Sequence, residues 1–478
     1  LTLRDWQEEQ LFILIREATN TEFGKKYRFP DLQRYEDFAE TVPVSSYDDI
    51  ANHIQQLKEG VSDLFWPGSI NQFTVSAGTS GEGKHLPLTT KRLEADQRFM
   101  HKIVWSYLKQ RPNIFRLWGK HISLPGTLNN KSDFEIGEIS AFTARRVPWW
   151  LSPFQLVSTE KLIHLPFSQK VDRIVEKAIN KDIRVITAVP SWLLTIFQRV
   201  LEQTKADTIA EIWPKLRLLV CGGVKLANYR PHLTKLLGNS DADFIETYGA
   251  SEGYFAYSDA LQKDDMKLVI DNGVFYEFVP HPLPDLDSLS IQQAIPLWDV
   301  EPDIPYAMLV STNAGLWRYA MNDIVTFTQT NPPRIKVVGR VNDMLDDYGE
   351  ALYSYEAASA LRQATQSLNI EIGTFTIAAQ LEKKETIPHH IWFIQTYDSL
   401  HTDTLRRLAA KVDEILGREN RHYQIRRESN ALGMPKIRTI SQQQINNWLE
   451  VRHKQKAQGK LPHILREEED INFFTAHS

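Results

Sequence analysis

Between residues 155 and 249 the sequence alternates helix and strand three times, and this constrains the fold more than any other feature. HLPFSQKVDRIVEKAINKDIRVITAVP reads as a helix over 169–180 running into a buried strand, VITAV. A helix over 190–203, the strand LRLLVCGG, a helix over 226–237 and the short strand ADFIETYG follow. Strands separated by helices in this way build a mostly parallel sheet with helices on both faces, an α/β architecture. Such sheets bind ligands outside the carboxyl ends of their strands, so chemistry is expected in the loops that follow strands.

The chain has 478 residues, too many for one ordinary core, which predicts two or more units. Trp6, Leu11 and Ile15 recur at helical spacing, so residues 3–19 read as an amphipathic helix. Beyond RIKVVGRVNDMLDDYGEALYSYEAASALRQA the pattern becomes α+β: strands TFTIAAQL and HIWFIQTY, a helix over 402–417 and a polar helix over 441–456. The boundary is expected near Gly339–Asp343, dividing the chain into a large domain, 1–340, and a small α+β domain, 341–478. A net charge of −5 offers no basic field for nucleic acid. No apolar run approaches the ~20 residues of a membrane helix, so no membrane partner is expected. The opening LTLRDWQEEQLFILIRE mixes acidic with apolar residues and lacks a small-residue cleavage site, unlike a signal peptide. A single cysteine, Cys221, excludes an intrachain disulfide framework and suits a reducing cytoplasm.

Four loops carry candidate chemistry. In FTVSAGTSGEGKHLPLT, Gly78 to Lys84 has the G-x-x-x-x-G-K spacing of a triphosphate loop, but His85 stands where a hydroxyl residue should hold magnesium. The following LPLT reads as strand, where such a loop needs a helix. The useful donors come earlier, at Ser76, Thr79 and Ser80, among small residues that let backbone N–H groups approach phosphate oxygens. A solvated hairpin loop fits the same residues. In FIETYGASEG, Tyr248 suits stacking on a purine and Glu252 suits magnesium on phosphates, while a core Tyr and a solvated Glu fit equally. LVCGGVKL puts Gly222–Gly223 at a strand end, where bare backbone can edge an adenine or simply make a tight turn. GLWRYAMNDIV offers Asp323, able to accept both hydroxyls of a ribose or to serve a hairpin, and VVGRVNDMLDDYGEAL puts Arg340 at the domain junction.

Taken in order, NTEFGKKYRF, VPVSSYDDI, SAGTSGEGKHLPLT, ETYGASEGYF, GLWRYAMNDIV and GRVNDMLDDYGEAL resemble the adenylate-forming superfamily. Within it the chain is most similar to the acyl-acid amido synthetases of the auxin-responsive Gretchen Hagen (GH-three) family. The late GKLPHIL resembles that family's C-terminal lysine segment. The similarity runs over nearly the whole chain, whose length fits shorter, bacterial-type members.

The resemblance implies an ATP- and magnesium-dependent ligase. A carboxylic acid attacks the α-phosphate of ATP, and an amine, an amino acid, then takes the acyl group as an amide with release of AMP. It assigns Ser76, Thr79, Ser80, Lys84 and Ser251 to phosphates, and Gly222, Gly223 and Tyr248 to adenine. Glu252 falls on the magnesium position, Asp323 on ribose, Arg340 on the junction, and Lys460 on the catalytic lysine carried by a mobile C-terminal domain. The chain departs from the pattern at Ala77, at Asn322 where glycine commonly precedes the ribose Asp, at Val341-Asn342-Asp343, and at His463. For the acid pocket, Tyr254, Phe255, Trp149 and Trp150 offer an aromatic slot, with Arg116, Arg145 or Arg146 facing the carboxylate; core packing suits these aromatics as well. The competing functions are an acid–thiol ligase making an acyl-CoA through the same adenylate, and a nucleotide-binding relative without catalysis.

Overall fold

The computed structural model describes residues 2–75, 84–131, 133–147, 149–281, 294–341, 343–350, 352–380, 387–397, 399–452 and 461–476. The chain divides into two compact units. The first comprises residues 1–226 and 233–337; the second comprises 338–478 together with the short segment 227–232.

An 11-stranded sheet forms the backbone of the first unit. Lys120–Ser123, Ile183–Ala188, Leu218–Gly222 and Asp243–Gly249 lie side by side and parallel. The helices Phe167–Ala178 and Pro190–Thr204 supply the crossovers that parallel pairing requires. From Tyr254 onward the sheet departs from the mostly parallel expectation. Tyr254–Tyr257 turns back against Asp243–Gly249, and Met266–Leu268 and Pro333–Arg340 continue antiparallel. Pro305–Thr312 likewise pairs antiparallel with both Tyr319–Thr330 and Val274–Pro280. The physical reason is connection length: only four residues separate Gly249 from Tyr254, enough for a hairpin and far short of a helical crossover.

The expected N-terminal helix spans Leu3–Ala18. Thr2 accepts a hydrogen bond from the amide of Asp5, whose carboxylate accepts from the amide of Thr2, a reciprocal cap that satisfies two helix-end donors. Leu11, Leu14, Ile15 and Ala18 face the core. Among them sits a fully buried amide, Gln7. Its nitrogen donates to the carbonyls of Ile270 and Val274, and its oxygen accepts from the amide of Tyr276, so the helix is bonded to the strand Val274–Pro280 as well as packed on it.

A buried ion pair lies in the same core. The Arg318 guanidinium donates through Nε and Nη2 to both carboxylate oxygens of Glu277, at 2.9 and 2.8 Å, and through Nη1 to the carbonyls of Ala39 and Val42. The Tyr35 hydroxyl donates to the same carboxylate. Every charge and most donors are matched, which is what makes such burial tolerable.

A separate four-stranded sheet orders His85–Pro87, Gln72–Val75, Glu135–Gly137 and Leu128–Asn130. The chain behind Lys84 is thus a strand, as the LPLT pattern implies. The second unit has the expected α+β character: Ile372–Gln380, His389–Thr396 and Lys436–Ile440 form a three-stranded sheet. Its core combines Phe375, Ile377, Trp392 and Ile394 from those strands with Leu361 of Ser354–Leu368 and Leu408, Val412 and Leu416 of Thr402–Glu419.

Candidate active site

The parallel strands Leu218–Gly222 and Asp243–Gly249 run in register, with Gly222 beside Thr247, so their carboxyl-end loops lie abreast. A Cβ on Gly222 would come within 2.4 Å of Thr247 Oγ1, which itself donates to the carbonyl of Cys221. Gly223 follows at φ +84°, a conformation that side chains rarely adopt. The Gly-Gly pair therefore keeps backbone bare where the strand edge opens.

One residue beyond Thr247, the Tyr248 hydroxyl donates to Asp323 Oδ2 at 2.7 Å, with both side chains buried. The Tyr248 ring is tilted against Phe255, centroids 5.4 Å apart, within the aromatic core. Asp323 reaches this position through an irregularity in its strand. Pairing runs Ala307 with Ile324, then Leu309 with Ala320, so Met321, Asn322 and Asp323 stand opposite Met308 alone. Such a bulge re-aims a side chain. Its pivot is Asn322 at φ +62°. Asparagine tolerates the left-handed region better than other non-glycine residues, so the departure from glycine is accommodated.

Glu252 sits in the turn between Asp243–Gly249 and Tyr254–Tyr257. The amides and carbonyls of Ala250 and Gly253 bond to each other, leaving Ser251 and Glu252 as the two central residues. Thr74 donates through Oγ1 to the Ser251 carbonyl at 3.1 Å. The charge on Glu252 reaches the phenol of Tyr319, which is raised above its ordinary range chiefly by burial and then by Glu252, Tyr47 and Asp48. Tyr47 in turn lies under the Lys84 ammonium, 5.4 Å from its ring centroid, and its hydroxyl accepts from the amide of His85. Tyr319 thus feels the charge on Glu252, and Tyr47 lies against Lys84. Neither stands out by residue type, although both lie inside motifs that carry the family resemblance, VPVSSYDDI and GLWRYAMNDIV.

Among the described residues, no group of three His, Cys, Asp or Glu side chains forms a metal cluster. A single carboxylate such as Glu252 fits magnesium that takes its other ligands from phosphates and water. Ser76, Thr79, Ser80 and Lys460 lie outside the described residues. Arg340 ends the strand Pro333–Arg340 and belongs to the second unit.

Among the acid-pocket candidates, Tyr254, Phe255, Trp149 and Arg116 have different surroundings. Tyr254 stacks on Phe99 at 5.2 Å, and burial raises its phenol. Phe255 is wholly buried: the register shift between Tyr248 and Gly249 makes it the extra residue of its strand and it joins the core. The Trp149 ring is 85% exposed, in the 3-10 segment Trp149–Phe154. Arg116 lies half-buried in Ile114–Leu117.

The large sheet is parallel over four strands and antiparallel over the rest, with the candidate site at the seam, and a small α+β unit follows in the chain. The fold matches the structure of the GH3.15 acyl acid amido synthetase with a TM-score of 0.79 at 17% identity, over 99% of this chain and 93% of that one. It also matches a 2-hydroxyisobutyryl-CoA ligase in its postadenylation state, TM-score 0.60 at 13% identity, over 98% and 90% of the two chains. The chain belongs to the GH3 family: the family's N-terminal domain matches residues 2–169, its central domain 267–340 and its C-terminal domain 355–469. Among curated relatives, the indole-3-acetic acid-amido synthetase GH3.4 of Arabidopsis thaliana is 24% identical over 86% of this chain and 79% of its own length.

Proposed function

We propose that the chain is an ATP-dependent ligase that adenylates a carboxylic acid and transfers the acyl group to an amine, an amino acid. The observation that carries this reading is the 2.7 Å bond between Tyr248 and Asp323. It joins the loop predicted to face adenine to the carboxylate predicted to take the ribose, beside the turn that bears Glu252.

In the first half-reaction a carboxylate oxygen of the acid attacks the α-phosphorus of ATP, and the bond to the β-phosphate oxygen breaks to release pyrophosphate. In the second, the amine nitrogen attacks the acyl carbonyl, loses a proton, and displaces AMP. Neither half-reaction needs a redox partner. The demand on the protein is to hold the nucleotide and to offset the charge that grows on phosphate oxygens. Asp323 accepts from the ribose hydroxyls, held in place by Tyr248. The bare backbone at Gly222–Gly223 borders the adenine. Lys84, with Ser76, Thr79, Ser80 and Ser251, donates to the phosphates. Magnesium bound at Glu252 would supply further positive charge there. Arg340 lies at the junction, and the C-terminal domain, 341–478, brings Lys460 to the reacting groups when it closes. Tyr254, packed on Phe99, is the strongest of the acid-pocket candidates. The single buried thiol, Cys221, suits a reducing cytoplasm.

The relatives' names point to indole-acetic acids as the first acids to test. Pyrophosphate exchange is measured with a panel of aromatic, indole and short aliphatic acids, and the hits are then offered amino acids or CoA. Acid-dependent exchange followed by an amino-acid conjugate is expected. CoA consumption without conjugate would move the acceptor to a thiol. ATP binding with no exchange for any acid would leave a nucleotide-binding module.

A further inference from the structure

The turn that carries Glu252 is an unfavourable one for its strands. Two-residue hairpins favour turns with positive φ at one or both central positions, because their twist matches that of the strands. Neither Ser251 nor Glu252 is in that region. A turn of this kind needs holding from outside, and two side chains do so. Thr74 donates to the Ser251 carbonyl, and Arg92 donates through Nη1 to the Glu252 carbonyl.

Arg92 comes from far away, 160 residues earlier, on the first turn of the helix Thr90–Gln110. Its side chain is 2% exposed and paired through Nε with Asp96 Oδ1 at 2.8 Å, and Asp96 is 1% exposed. Burying such a pair seldom stabilises a fold more than apolar residues of similar volume would. Nor does the pair satisfy itself. Among the described residues, Arg92 Nη2 and Asp96 Oδ2 have no hydrogen-bond partner. Unsatisfied buried groups in a native fold call for a reason. Here the reason lies in direction: Asp96 fixes the guanidinium so that one N–H meets the backbone of the Glu252 turn.

We infer that Arg92, oriented by Asp96, is a positioning residue that holds the turn bearing Glu252 and thereby sets the affinity of that carboxylate for the divalent cation accompanying ATP. The inference rests on the reading of Glu252 as the magnesium residue. Outer residues that orient a ligand typically change metal affinity by about 10- to 100-fold.

The test replaces the pair together, Arg92→Leu with Asp96→Leu, so that no lone charge is left buried. Manganese binding to the enzyme with a non-hydrolysable ATP analogue is titrated by electron paramagnetic resonance, alongside the magnesium dependence of pyrophosphate exchange. Glu252→Ala is measured in parallel. The expected result is at least about tenfold weaker manganese binding in the double variant, with exchange largely recovered at saturating magnesium and a melting temperature near that of the parent. Should the double variant fail to fold, Arg92→Lys carries the same test, since it keeps a cation beside Asp96 while withdrawing the Nη1 contact. Weakened binding in Glu252→Ala but unchanged affinity in the Arg92 variants overturns this inference alone. Unchanged affinity in Glu252→Ala overturns both it and the magnesium reading.

Discussion

Tyr248 and Asp323 are 75 residues apart in sequence, yet the phenol of one donates to the carboxylate of the other at 2.7 Å. The bond joins a strand end of the parallel half of the sheet to a bulge in the antiparallel half. Removing the hydroxyl with Tyr248→Phe keeps the ring against Phe255 and withdraws its donor from Asp323 Oδ2. Losing one such bond is worth about 1 kcal/mol, so the KM for ATP should rise by roughly fivefold with a smaller change in kcat. Asp323→Ala should cost more. A Phe variant with unaltered ATP dependence would remove Tyr248 from the nucleotide site.

The bulge makes its own prediction. Asn322 stands at φ +62°, where a β-branched side chain is strained. Asn322→Val should lower stability by about 1–3 kcal/mol, read from urea unfolding, and weaken ATP binding by displacing Asp323. Asn322→Gly should be close to neutral. Equal stability of the two variants would mean that the left-handed turn is not what holds the carboxylate.

A third prediction concerns the buried Arg318–Glu277 pair. Glu277→Leu leaves a guanidinium buried without its carboxylate and should destabilise by about 3–5 kcal/mol. Adding Arg318→Met should recover much of that loss. If the double variant unfolds as readily as the single, the contacts of Arg318 with Ala39 and Val42 matter more than the charge pair.

Lys170 gives a pH prediction. Its ammonium is fully buried, donating to the carbonyls of Pro125 and Gly126 and to Thr127 Oγ1. Burial draws its pKa down to about 8, with the Glu138 charge opposing. An unfolded lysine titrates near about 10.4, so between roughly pH 8 and 10.4 the unfolded chain binds more protons. The contribution of Lys170 to stability should therefore rise with pH across that window and stay level below it. Melting temperatures of the parent and Lys170→Met, compared from pH 7 to 10, measure it; a contribution that falls as pH rises would reverse the sign.

How far the sequence could be read followed from what is local. The helices over 169–180 and 190–203 announce themselves by periodicity, and Phe167–Ala178 and Pro190–Thr204 lie where the pattern puts them. The mostly parallel expectation came from the same stretch and could not extend past it, because short apolar strands after Tyr254 carry no mark of their direction. In the candidate site, Tyr248 and Glu252 draw attention because they follow a strand, and Asp323 because it sits in a short motif; the structure bonds the first to the last. Arg92 draws none: on a helix, with no local signature, it acts on a carbonyl 160 residues away. Phe255 and Trp149 looked alike as aromatic candidates, but a one-residue register shift buries the first, while the second lies in solvent.

The amide of Gln7 sets a schedule for the growing chain. Its partners begin 263 residues later, so this helix cannot make those bonds until most of the first unit has been made. At typical synthesis rates of about 5–20 residues per second, the Gln7 amide waits roughly 10–50 s for those partners. Shortening the delay by circular permutation, with the helix moved behind the strand Val274–Pro280, should raise the soluble yield without altering the finished fold.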